Sequence, residues 1–69
     1  MLRAPVSSSS IASVGYDRGQ EVLEVEFHSG AVYRYYAVPR SLVRSLLDAP
    51  SKGAFLNRHI RNRYVYARA

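Results

Sequence analysis

Across residues 22–36, apolar and polar side chains alternate in two runs, V-L-E-V-E-F and A-V-Y-R-Y-Y, separated by His28-Ser29-Gly30. A period of two is that of a half-buried strand. In the first run Leu23, Val25 and Phe27 share a face and Glu24 and Glu26 the other. In the second, Tyr33 and Tyr35 oppose Arg34 and Tyr36. Parity sets the register, because a slip of one residue exchanges the two faces of a whole strand. A two-residue loop would set Arg34 beside Val25 on the apolar side. A three-residue loop, residues 28–30, instead pairs Phe27 with Ala31, Val25 with Tyr33 and Leu23 with Tyr35, and sets Glu24 opposite Arg34. Gly30 then supplies the left-handed residue of a bulged hairpin at no side-chain cost.

Upstream, Ala12, Val14 and Tyr16 alternate within residues 11–16. The turn Asp17-Arg18-Gly19-Gln20 pairs Tyr16 with Glu21, Val14 with Leu23 and Ala12 with Val25. Residues 1–9 have little to bury and are expected to form a flexible N-terminal arm, leaving residues 10–69 as a single domain. Downstream, the period changes at Val38-Pro39. Pro39 suits the first turn of a helix, and Leu42, Val43, Leu46 and Leu47 mark its apolar stripe, which Pro50 ends by about Asp48. Ser51 is the expected N-cap of a second helix with Phe55, Leu56, His59 and Ile60 inward and Asn57, Arg58 and Arg61 outward. Alternation returns at Tyr64-Val65-Tyr66-Ala67 as a short last strand, whose place in the sheet the pattern leaves open. The predicted class is α+β, in the order β-β-β-α-α-β. An antiparallel three-stranded meander plus the short C-terminal strand carries two helices on one face, and Glu24, Glu26, Arg34 and Tyr36 face solvent on the other.

A chain of 69 residues makes one small domain with no room for a deep cleft between domains. It has no cysteine, so disulfides and thiolate metal ligands are excluded, in keeping with a reducing compartment. No apolar run is long enough for a signal peptide or a membrane span, and a soluble cytoplasmic protein without a membrane partner is expected. The formal net charge is +5, and its placement matters more than its size. Every acidic residue lies at or before Asp48, whereas Lys52, Arg58, Arg61, Arg63 and Arg68 follow with no acid among them. That third of the chain is a local source of positive potential that attracts polyanions.

Those five cations are the candidate phosphate contacts, of the kind that grip a nucleic-acid backbone without reading sequence. Tyr64 and Tyr66 lie among them and, with Tyr36, are the candidates for stacking on bases. Tyr33 and Tyr35 share the face of Leu23, Val25 and Phe27 and are expected in the core with their hydroxyls at its rim. Ser51-Lys52-Gly53 opens a helix and is a candidate anion site, where free N–H groups, the helix dipole and a lysine meet. It lacks the spacing of a phosphate-binding loop. Its plain alternative is a serine cap with a glycine that admits a neighbouring element. His28 belongs to a turn and His59 to the inner side of a helix, so no metal site is expected, nor any cofactor. No serine or acid has a companion base at a recognisable spacing, and a catalytic role is not expected.

S-S-S-I-A-S-V-G-Y at residues 8–16, F-H-S-G at 27–30, Y-R-Y at 33–35, Val38-Pro39, Ser51-Lys52-Gly53 and the closing N-R-H-I-R-N-R-Y-V-Y together resemble the KTSC domain. That family is named for the C-terminus of some lysyl-tRNA synthetases and also occurs as short free-standing bacterial proteins. The resemblance runs from about Val6 to Arg68, with the Y-x-Y hallmark on Tyr33 and Tyr35. It implies a small α+β module found beside a tRNA-handling enzyme. With the charge distribution, the expectation is a small non-catalytic module that binds tRNA or another structured RNA. The alternative is a protein-interaction or dimerisation module that docks on a larger protein or a second copy through its sheet face or edge, using Tyr36, Val22 and Val32. A contiguous basic surface favours the first and a contiguous apolar one the second.

Overall fold

Five strands form one antiparallel sheet whose spatial order repeats the chain order: β1 (Arg3–Pro5), β2 (Ile11–Asp17), β3 (Val22–Phe27), β4 (Val32–Tyr35) and β5 (Tyr66–Arg68). Two helices, α1 (Arg40–Asp48) and α2 (Lys52–His59), lie between β4 and β5 in sequence. The computed structural model describes residues 2–69, so Met1, the first residue of the expected arm, lies outside the described residues.

The β3–β4 hairpin has the three-residue loop and the register that alternation dictates. Leu23 pairs with Tyr35, Glu24 with Arg34 and Val25 with Tyr33. Phe27 N–H donates to Ala31 O, and Gly30 takes a φ of 95°. The β2–β3 pairing keeps the expected faces but is displaced by two residues, with Tyr16 opposite Leu23 and Val14 opposite Val25. The turn keeps four residues but moves one position along the chain, to residues 18–21, because Asp17 pairs with Val22. Asp17 Oδ1 accepts from the amides of Gly19 and Gln20, and Glu21 takes a left-handed φ of 56°. Glu21 O in turn accepts from Val38 N–H at 2.9 Å, tying this turn to the segment that enters α1. A further irregularity falls between Ile11 and Ser13, where an extra residue, Ala12, bulges from β2. The bulge changes parity, so Ile11 enters the core in place of Ala12.

Residues 3–5, expected in a flexible arm, form strand β1 on β2. Their anchor is not apolar burial. Arg3 Nη1 donates to Glu24 Oε1 at 2.9 Å, and Val6 N–H donates to Ala12 O. The close approach depends on Gly15, where a Cβ would stand 2.7 Å from Leu2 O and 2.9 Å from Arg3 Cγ. Glu24, expected to face solvent, is therefore 7% exposed, with Arg3 on one side and Arg34 Nε at 3.9 Å on the other.

The core lies between the other sheet face and the helix pair. Ile11, Leu23, Val25, Tyr35 and Val38 meet Val43, Leu46, Leu56 and Ile60. Pro39 is the N-cap of α1, and the extended Ala49 before Pro50 ends it. Leu47 was expected in the buried stripe but is 44% exposed. It lies roughly 100° around the helix from Leu46, at the margin of the stripe. The last strand begins later than alternation suggests, at Tyr66, and takes the free edge of β4, pairing Tyr35 with Tyr66 and Tyr33 with Arg68. Among the described residues, no helix is long and apolar enough to cross a membrane.

Candidate nucleic-acid interface

The register lays two rows across the core face of the sheet. One runs Tyr16, Leu23, Tyr35, Tyr66 and the other Val14, Val25, Tyr33, Arg68. Leu23, Val14 and Val25 are buried in these rows, Tyr16 is half-buried, and exposure rises toward β5. Tyr35 is closed off, Tyr33 is half-buried and Tyr66 is 54% exposed. The result is a groove of about 460 Å³ floored by Tyr33, Tyr35 and Tyr66. Phe27, His28 and Ser29 of the hairpin turn close one end, and Arg61, just past α2, stands at the wall.

Its rings meet at angles instead of stacking flat. Tyr66 lies 5.7 Å from Tyr33 at 71° and 5.8 Å from Tyr35 at 41°, and Phe27 meets Tyr33 edge-on at 5.8 Å. The Arg68 guanidinium stands 6.0 Å from the Tyr33 ring centroid, the outer limit of a cation–π contact. Burial pushes the Tyr35 hydroxyl above its ordinary pKa of 10.0, with the positive charge of Arg61 acting in the opposite sense. No carboxylate lines the groove. The ion pairs among the described residues are those of Arg3 and Arg34 with Glu24, on the opposite sheet face, where Glu26 also accepts from Ser13 Oγ at 2.7 Å.

The sequence-predicted cations divide accordingly. Arg58, Arg61, Arg63 and Arg68 are all exposed and, among the described residues, pair with no acid. Arg61 lines the groove and donates to Asn57 Oδ1 at 3.2 Å, and Arg68 reaches over the ring of Tyr33, which floors it. Lys52 is turned elsewhere: its Nζ donates to Ala49 O, a carbonyl at the end of α1, at 3.2 Å. Ser51 Oγ accepts from Ala54 N–H, the ordinary use of an N-cap. A Cβ on Gly53 would stand 2.5 Å from Ser10 Oγ, so this glycine admits the segment that leads into β2. The helix opening is thus engaged by its own chain.

Of the candidate stacking residues, Tyr66 belongs to the groove, and Tyr64 is half-buried against the core. Tyr36 is exposed and donates its amide to Val65 O, away from the groove. His28 Nε2 lies 2.9 Å from Ser8 O, and the His59 ring packs 4.5 Å from that of Phe55. Among the described residues, no three His, Cys, Asp or Glu side chains converge as a metal site would require. Sequence reasoning passed over a second gathering of arginines, Arg18, Arg40 and Arg44, which share a shallow groove with Tyr16 and Asp48. The spacing of four between Arg40 and Arg44 was the available signal, since it puts both on one helix face.

A five-stranded meander, a helix pair on one face and a cation-rimmed aromatic groove beside it define a small α+β domain. The chain belongs to the KTSC domain family, whose profile matches residues 7–64. It is similar to a KTSC domain protein of Yersinia pestis of known crystal structure, with a TM-score of 0.95 and 35% identity, covering 99% of this chain and 96% of that one. An uncharacterized protein of Stutzerimonas stutzeri is 54% identical over 57 residues, 83% of this chain and 80% of the relative. A lysine–tRNA ligase of Nostoc punctiforme is 38% identical over 58 residues, which are 84% of this chain and 10% of the ligase.

Proposed function

We propose that the protein is a non-catalytic module that binds tRNA or another structured RNA through the surface formed by the end of α2 and by β5. Arg58, Arg61, Arg63 and Arg68 grip phosphate there. The observation that carries this reading is their electrostatic isolation. Among the described residues, four exposed arginines have no carboxylate partner, and the groove that Arg61 lines has no carboxylate in its lining. Such cations can neutralise phosphates and release the counterions condensed on a nucleic-acid backbone. Similarity to a segment of lysine–tRNA ligases, whose substrate is a tRNA, points the same way.

The test is filter binding of total tRNA and of a matched duplex DNA across a series of salt concentrations. Saturable retention favouring tRNA, with a salt slope of a few phosphates, is the expected result. Arg58→Glu with Arg61→Glu should weaken tRNA retention at least tenfold and shallow the slope by roughly one per arginine. Both side chains are exposed, so unfolding should shift by less than about 0.5 kcal/mol. Unchanged retention by a folded double variant would remove this surface from the interface.

One observation favours a second reading, association through the sheet edge. Strand β5 is paired on one side only, with β4, and Val65 and Tyr36 beside it are exposed. Val22, a candidate for such a face, is buried. Light scattering across the micromolar range decides it, because a strict monomer leaves no edge-paired dimer.

A further inference from the structure

We infer that the groove over β4 and β5 receives an unpaired nucleotide of a single-stranded RNA segment, its base against Tyr33 and Tyr66 and its phosphate between Arg61 and Arg68. This deepens the RNA-binding reading and rests on it. Tyr66 is a large aromatic side chain on a three-residue edge strand, more than half exposed and outside the buried core cluster. Beneath a nucleotide the same ring has a use. Tyr33 and Tyr66 stand at 71°, forming two sides of a corner. A flat base laid on the face of one meets the edge of the other, the geometry in which the ring quadrupoles attract. Aromatic side chains on a sheet hold bases in this sequence-tolerant way, because every base has a π face.

The charges select the occupant further. Arg68 lies at the limit of its reach over Tyr33, so the contact is weak and the guanidinium is free to turn to a phosphate. Arg61 approaches from the helix side of the groove. An apolar peptide would gain nothing from two unpaired guanidinium groups, and an acidic one would leave the tyrosine faces unused. A duplex keeps its bases stacked inside and presents only phosphate to a recessed aromatic floor. At about 460 Å³ the groove has the size of a small-ligand site, typically ~300–1,000 Å³. His28 and Ser29 at the hairpin end supply polar groups for a base edge.

The experiment compares a single-stranded RNA of about ten nucleotides with the same strand annealed to its complement. Anisotropy of an end label and quenching of tyrosine emission are followed together. With six tyrosines and no tryptophan, the protein reports base stacking directly. Wild type should prefer the single strand, with saturable quenching. Tyr66→Phe keeps the ring and should bind within about twofold of wild type. Tyr66→Leu keeps bulk without the ring and should bind the single strand roughly tenfold more weakly, with an unchanged salt slope because no charge is removed. Thermal melting checks that both variants are folded. Equal wild-type affinity for single strand and duplex, or wild-type affinity in folded Tyr66→Leu, would overturn the groove assignment while tRNA retention stood. Failure of wild type to retain tRNA or the single strand would overturn both readings.

Discussion

Gly15 determines whether β1 can pack where it does. A methyl group there would collide with Leu2 O and the stem of Arg3, and a backbone carbonyl cannot rotate away as a side-chain tip can. Gly15→Ala should cost about 1–3 kcal/mol in urea unfolding and speed hydrogen exchange at the Val6 amide, which donates to Ala12 O. Wild-type exchange at that amide would mean that β1 accommodates the methyl. Tyr16 carries a separate, pH-dependent contribution. Its hydroxyl donates to Val38 O, and burial, followed by the charge of Glu21, raises its pKa above the ordinary 10.0. The folded chain therefore holds this proton, and that of Tyr35, at pH values where the unfolded chain has lost it. Stability is complete below pH 10, falls as pH rises through the interval between 10 and the raised values, and levels off beyond it. Tyr16→Phe should lose about 1 kcal/mol at neutral pH with its hydrogen bond and show a shallower alkaline decline. An alkaline slope equal to that of wild type would assign the decline to other groups.

At the scale of elements, the β3–β4 hairpin was legible because three local signals agree: alternation on both sides, an odd loop and a glycine where φ turns positive. The β2–β3 pairing was legible only as to face. A shift of two conserves parity, and nothing local shows that a glutamate will adopt the left-handed conformation that ends a turn at residues 18–21. The bulge at Ala12 was hidden for the opposite reason, since it breaks the alternation that would have revealed it. Strand β1 has no apolar pattern of its own. A glycine gap and the carboxylate of Glu24 hold it, and both lie on other strands. The helices were legible from their prolines, the serine cap and their apolar periodicity. The bond of Lys52 Nζ to Ala49 O was not legible because its partner, the end of α1, adjoins it only once the chain has passed Ala49-Pro50. The groove was half legible. The arginines and Tyr66 could be named from the sequence, but their meeting with Tyr33 depends on which edge receives β5.

Across the whole molecule the two sheet faces divide the charge. On one, Glu24 and Glu26 are matched by Arg3, Arg34 and a serine hydroxyl. On the other, Arg61 lines an aromatic groove and Arg68 reaches over Tyr33, with no acid among the described residues that line it. Every strand pairs with the next strand in the chain, and all but one of the pairs are joined by a short connection. The exception is β4 with β5, which must close around both helices. Strand β5 is three exposed residues long, and none of them belongs to the buried core. It is thus an element that can detach at low cost, as a local opening below the global unfolding free energy. The bonds from Tyr36 to Val65 and from Ala69 to Val32 make the Ala67 amide, midway between them, face β4. Ala67→Pro should release the strand while the melting temperature falls only a few degrees, and single-strand binding should drop as in Tyr66→Leu. Full binding by that variant would show that the strand is dispensable to the groove. The domain then has two thermodynamic lives, a persistent scaffold and a clasp that opens and closes upon it. A ligand held by Tyr66 and Arg68 would meet a ready groove only for the fraction of time the clasp is shut, and by binding would keep it so.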